Sequence, residues 1–201
     1  GVKPKRPNFE RLASEGIEFN RAYAVAPLCV PIRTTLLTGL YPHNHKNTQN
    51  NTHAPFSHEL IFETLERNGY SNYYFGKWHA GPGKATDFGP AGFSREDYGN
   101  PYISREYKEY LKENNLEMPK RKIEKVFGSS NFGTQHPDLV EGSSSYESDK
   151  YFSGENAVGI SLAPKETHES FFLADIACKQ LKKHAEESNE KENPFFMRID
   201  F

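Results

Sequence analysis

Cys29-Val30-Pro31-Ile32-Arg33-Thr34-Thr35-Leu36-Leu37-Thr38-Gly39 is the stretch around which this chain is organised. It reads C-x-P-x-R, then a helix-like run, then a glycine. A cysteine at the mouth of a helix sits where free backbone N–H groups and the helix dipole favour negative charge. Arg33 lies four residues on and returns to the same face one turn later. Pro31 is tolerated because the N–H groups of a first turn have no helical partner to lose. The spacing therefore predicts a helix over 29–38, ended by Gly39, with a reactive side chain beside a fixed cation.

Working outward, helix and strand signals alternate. Asn8–Glu15 is helix-like and Gly16 ends it; Ile17–Val25 is strand-like. Ser57 is placed to cap a helix over His58–Asn68, with Ile61 and Leu65 four apart and Gly69 at its end. Ser71–Trp78 reads as a strand rich in aromatic residues. Further helices are expected over Ser104–Asn114 and Phe171–Glu187. The second carries Leu173, Ala177, Leu181 and Ala185 at every fourth position. Pro194–Phe201 is an apolar, strand-like run. Alternation of this kind predicts an α/β sheet with flanking helices.

Between these elements, residues 80–164 are punctuated by glycine and rich in Tyr and Ser. We read them as a long, loop-rich excursion from the sheet rather than a separate domain; such excursions are often functional. Its tyrosines, Tyr98, Tyr102, Tyr107, Tyr110, Tyr146 and Tyr151, suit stacking on sugars or aryl groups, and suit ordinary packing better.

Composition narrows the class. The 201 residues are 35% hydrophobic and 26% charged, with a formal net charge of −2. That supports one core and supplies no basic field for nucleic acid. No apolar run approaches a membrane span. Two cysteines cannot make a disulfide framework, and Cys178, inside a helical pattern, is expected to be a small core or half-buried residue. His43 and His45 have a spacing that zinc can use, but no Cys or carboxylate lies nearby in the sequence, which favours a structural role. Asn50-Asn51-Thr52 is a formal glycosylation sequon.

A second motif follows the first. Gly76-Lys77-Trp78-His79 closes the aromatic strand. Lys77 and His79 are two apart on a strand, so both point to one face, and Trp78 points to the other, toward packing. One cation and one titratable group would then reach the same small volume.

Together these motifs resemble the type I sulfatases, formylglycine-dependent members of the alkaline-phosphatase-like superfamily. The resemblance covers C-x-P-x-R with T-x-L-L-T-G, the continuation Leu40-Tyr41-Pro42-His43, the preceding Asn8–Tyr23, and G-K-W-H, over roughly residues 7–93. Ile32 departs from the family, which usually has a small residue there, often Ser. The resemblance implies an alkaline-phosphatase-like α/β sheet and a sulfuric ester hydrolase. It implies that Cys29 is oxidised to formylglycine by a formylglycine-generating enzyme. A plain Ser or Cys nucleophile would leave a sulfo-enzyme that is hard to discharge. An aldehyde hydrate attacks sulfur with one hydroxyl and expels sulfate when a base removes the proton from the other.

By the same resemblance, Arg33 holds the hydrate through fixed N–H donors. Lys77 contacts the sulfate oxygens, and His79 contacts the formylglycine hydroxyl and serves as base. Calcium, or another divalent cation, is implied, with Cys29 as formylglycine its one ligand among these residues. The family's aspartate pair on the first strand, its Asp-Asn pair and its second lysine have no counterpart here. We therefore expect an internal, N-terminal fragment of a longer catalytic domain, inactive in isolation. The expected substrate is a small sulfate ester of a carbohydrate, an aryl alcohol or choline. Phosphonate monoester hydrolases and phosphodiesterases share C-x-P-x-R and stay open as the alternative, as does a truncated, non-catalytic product. The compartment (periplasm, exterior or cytoplasm) is left open as well.

Overall fold

The structure is a computed structural model, and it describes residues 4–96, 101–126, 146–148, 157–188 and 193–201. The strand at its centre is β1, Ser71–Lys77. It pairs in parallel with β2, Ala91–Arg95, on one side. On the other it pairs in parallel with the last strand, Phe195–Asp200. A parallel strand flanked in this way needs apolar cover on both faces, and β1 has it. Tyr74 turns to one face, packing with Leu37, Leu60, Phe62, Trp78, Ala80 and Ala85. Tyr73 and Phe75 turn to the other, against Ala177, with Phe93, Ile176 and Met197 alongside.

The helices match the sequence expectations closely. Helix α1 spans Pro7–Glu15. Helix α2 spans Cys29–Thr38 and ends on Gly39 at φ 71, whose N–H bonds to the Thr35 carbonyl at 2.8 Å. A single turn, α3, covers Pro42–His45. Helix α4, Ile61–Arg67, is shorter than predicted. Ser57 does not cap it; the Ser57 hydroxyl instead meets His58 Nδ1 at 3.0 Å. The Glu63 carboxylate takes the Leu60 N–H at 2.7 Å, so the acidic residue inside the first turn sets the start. Helix α5, Arg105–Glu113, is capped by the Ser104 hydroxyl, which accepts the Tyr107 N–H at 3.1 Å. The long helix α6, Glu169–Glu187, lies over the Tyr73 face.

Two expectations need correction. Ile17–Val25 forms no strand, and Ile17, Phe19 and Tyr23 are all more than 75% exposed. Alternation makes a strand only where a neighbour supplies backbone partners, and no described strand pairs with this segment. Cys178 is exposed, not half-buried. The face that α6 buries runs through Phe172, Leu173, Ala177 and His184, whereas Ala185 is exposed. The stretch 80–164 also returns to the main sheet through β2 and carries a small antiparallel sheet. There β3, Arg121–Val126, lies between β4, Tyr146–Ser148, and β5, Ala157–Ser161. The final strand, Phe195–Asp200, is thus β6.

Of the tyrosines in that stretch, Tyr102, Tyr107 and Tyr110 are buried in one cluster with Leu111, Phe172 and Leu173, which is packing. Tyr98 and Tyr151 lie outside the described residues. Among the described residues, no helix is long and apolar enough to cross a membrane.

Gly76 is what lets β6 approach the end of β1. Its φ is +103, and a Cβ there would stand 1.9 Å from the Asp200 carbonyl oxygen. Gly69, at φ +81 after α4, would meet nothing within 4 Å. Gly76→Ala should therefore cost well over the ~1 kcal/mol expected of Gly69→Ala. Thermal unfolding of the two variants side by side checks this, and equal shifts would contradict the close approach.

Candidate active site

Cys29 is the first residue of α2 and is half-buried. Leu28, before it, offers no capping side chain. The cap comes from a distance: Asn50 Oδ1 accepts the Val30 N–H at 3.1 Å. Thr34, fully buried one turn on, brings its hydroxyl to 2.6 Å from the Ala80 carbonyl. These two bonds fix the mouth of the helix against the loop after α3 and against the chain leaving β1.

Lys77 ends β1 and reaches both members of the first motif. Its Nζ stands 4.0 Å from Cys29 Sγ, and its carbonyl accepts from Arg33 Nη1 at 2.9 Å. Burial pushes the Lys77 ammonium below its ordinary range, and the Arg33 charge adds to this. A Cys29 thiolate would oppose it, as does the Asp200 carboxylate. The structure thus brings Lys77 beside both Cys29 and Arg33.

His79 is placed differently from the expectation. The β1 ladder ends at Lys77, opposite Arg95 on one side, and at Gly76, opposite Asp200 on the other. With no further partner, the chain leaves the sheet, and His79 sits just beyond it at φ 41, only 2% exposed. Strand alternation therefore does not set its direction; a buried turn does. Trp78 does point into packing, fully buried and stacked on Phe88 at 5.4 Å.

Sequence reasoning missed the partner of Arg33. Arg33 Nη1 donates to Asp200 Oδ2 at 2.7 Å, with both side chains less than a fifth exposed. Arg198 Nε donates to the same oxygen at 2.9 Å. The Tyr74 hydroxyl lies between that oxygen and the Lys77 carbonyl, 2.7 Å from the latter, and shares its one proton between them. Burial first, and the Asp200 charge second, hold the Tyr74 phenol well above its ordinary pKa. Asp200 and Arg198 alternate onto one face of β6 two residues apart. That alternation was legible, but the pairing that brings it beside α2 was not. Asn50 was likewise read only as part of a sequon.

His45 braces α2 from below. Its Nδ1 accepts the Asn47 N–H at 3.2 Å, so Nε2 carries the proton and meets the Thr35 hydroxyl at 3.1 Å. Both ring nitrogens are thus used within the protein, which leaves the H-x-H spacing no zinc role.

A half-buried cysteine at a helix mouth, with the Lys77 ammonium 4.0 Å from its sulfur at the end of a parallel sheet, makes a site for a small oxyanion. The chain belongs to the sulfatase family, whose model matches residues 1–198. It is 40% identical over 97 residues to the N-acetylgalactosamine-6-O-sulfatase of Bacteroides thetaiotaomicron, covering 43% of this chain and 18% of that protein. It is 37% identical over 75 residues to an ulvan-active sulfatase of Formosa agariphila, covering 37% and 15%. It is 38% identical over 88 residues to the human N-acetylgalactosamine-6-sulfatase, covering 37% and 17%. The chain spans less than a fifth of the length of these curated relatives. The parallel sheet with helices on both faces agrees with the family's alkaline-phosphatase-like fold.

Burial lowers the His45 pKa from its ordinary 6.5, with His58 and His43 adding to the effect and two backbone contacts opposing it. The neutral ring is therefore the folded form. Stability from this residue is complete above about pH 6.5 and falls as pH drops from there toward the folded value, because the unfolded chain takes up the proton first. Melting temperatures of wild type and His45→Gln between pH 7.5 and 5 should converge as pH falls. A constant difference would contradict the assignment.

Proposed function

We propose that this chain is the nucleophile-bearing part of a sulfatase catalytic domain, with residues 80–164 an insertion-rich portion of it. The observation that carries the reading is the position of Lys77, whose ammonium stands 4.0 Å from Cys29 Sγ while its carbonyl takes a hydrogen bond from Arg33 at 2.9 Å. Cys29, Arg33, Lys77 and His79 are the catalytic residues of this reading. Names of relatives that specify N-acetylgalactosamine-6-sulfate and ulvan favour a sulfated carbohydrate as substrate over aryl or choline sulfate.

The surroundings of Cys29 suit its oxidised form: a helix mouth with two cations stabilises oxygen that bears negative charge. Formylglycine at this position supplies a hydrated aldehyde, one hydroxyl of which attacks sulfur while the other later gives up its proton. Arg33 orients that side chain from one turn below. Lys77 neutralises sulfate oxygens, which would otherwise repel the nucleophile. His79, held in place by burial, accepts the proton. The family's divalent cation is a different matter. Among the described residues, no three His, Cys, Asp or Glu side chains cluster to hold one. The residues present do not make a calcium site, and no step is derived through one.

Two measurements test the reading. In full-length protein from its native host, the tryptic peptide Ala22–Arg33 should carry the aldehyde mass at Cys29. Cys29→Ala should lower turnover of a model aryl sulfate by at least ~10³-fold. An unmodified thiol, or faster turnover of a phosphonate monoester than of any sulfate ester, would replace the proposal. Residues 1–201 alone should bind calcium weakly and turn nothing over; tight, stoichiometric binding by calorimetry would refute that.

A further inference from the structure

Among the described residues, every hydrogen bond that Arg33 makes leaves from one nitrogen, Nη1. Nη1 has two protons, and the two short contacts use both, one to Asp200 Oδ2 at 2.7 Å and one to the Lys77 carbonyl at 2.9 Å. A guanidinium is a flat, rigid fork, so tying one nitrogen through two acceptors fixes the plane of the whole group. The edge formed by Nη2 and Nε is then turned away from the anchoring carboxylate, with its donors uncommitted.

The anchor is itself built to stay still. Asp200 Oδ2 takes donors from Arg33, from Arg198 Nε at 2.9 Å and from the Tyr74 hydroxyl. Tyr74 is 1% exposed, locked in the core against Phe62 and Trp78. The Arg198 guanidinium also lies over the Tyr74 ring, 5.7 Å from its centre. Gly76 admits the Asp200 backbone at a distance no other residue would allow. Core packing therefore dictates the carboxylate's place, and the carboxylate dictates the guanidinium's.

We propose that Asp200, held by Tyr74 and Arg198, is a positioning residue that orients Arg33 so that its Nη2–Nε edge serves the reacting centre. The proposal rests on the sulfatase reading of this site. The Asp200 charge also bears on Lys77; the effect proposed here is the part that passes through Arg33.

A double-mutant cycle in the full-length, matured protein separates this role from a structural one. Asp200→Asn keeps the shape and one acceptor while removing the charge. With Arg33 present, D200N should lower kcat for an aryl sulfate by at least tenfold, with Cys29 conversion unchanged by mass. In an R33A background the same substitution should change kcat less than twofold. Equal factors in both backgrounds would overturn the proposal, since a residue that only supports the fold acts additively. Inorganic sulfate provides a second readout that needs no turnover. D200N should move the Kd for sulfate at least threefold when Arg33 is present and leave it unmoved in R33A. The same shift in both backgrounds would mean that Asp200 acts on the anion by its own charge, and would equally overturn the proposal. Tyr74→Phe should reproduce the D200N pattern more weakly. If matured wild type turns over no sulfate ester, the proposed reaction fails, while the sulfate cycle still decides the role of Asp200.

Discussion

The ion pair between Arg33 and Asp200 joins the three elements that make the site. Its guanidinium belongs to α2, its carboxylate to the end of β6, and the neighbouring Lys77 carbonyl to the end of β1. Both side chains are less than a fifth exposed, so neither is well solvated. Burying two charges is not by itself stabilising, because lost hydration can exceed the attraction. The pair persists here because the carboxylate oxygen has further donors in Arg198 and Tyr74. Removing one partner would strand the other, at a cost of about 3–5 kcal/mol for pairs of this kind. Such a pair specifies a register: Asp200 must lie beside Gly76 for its carboxylate to reach the helix.

The sheet makes this arrangement affordable in steric terms. Gly76 and Gly92 both have positive φ, and added Cβ atoms would lie 1.9 Å from the Asp200 oxygen and 2.2 Å from the Tyr74 oxygen. One glycine therefore relieves the backbone on each side of β1. Tyr74 joins the two scales of the structure. Its ring fills the core between Phe62 and Trp78, while its hydroxyl belongs to the charged network. A change in core packing is thus felt at Arg33 without any change in the site's own residues.

What the sequence revealed follows from which interactions are local. The helix over 29–38 was legible because its stop signal, Gly39, and its periodicity lie within the segment. The convergence of Cys29 and Arg33 was legible for the same reason. Their meeting with Lys77 came through the motif pair rather than through any local rule. Asp200, Asn50 and Tyr74 were not legible as site residues, since each acts on α2 across a long span of sequence. The misreading of Ile17–Val25 has the complementary cause. Alternation reports what a segment would do beside a partner, and pairing is not written in the segment itself. For His79 the spacing was right and the geometry was not, because the ladder ends two residues earlier than the motif.

The electrostatics of the site point in one direction when its charges are followed in turn. Asp200 is shared by Arg33 and Arg198, so one carboxylate faces two guanidinium groups. Lys77 adds a third cation whose charged form burial disfavours. The cluster therefore holds more positive than negative charge in a place where water screens it poorly. An anion at the mouth of α2 would offset that excess, with the helix N–H groups contributing in the same sense. A dianionic product would be offset most of all and would leave slowly. Asp200 counters this by drawing off part of the Arg33 charge, so that the guanidinium contributes direction more than attraction. Under the proposed reaction, binding a sulfate ester and then releasing inorganic sulfate requires that balance.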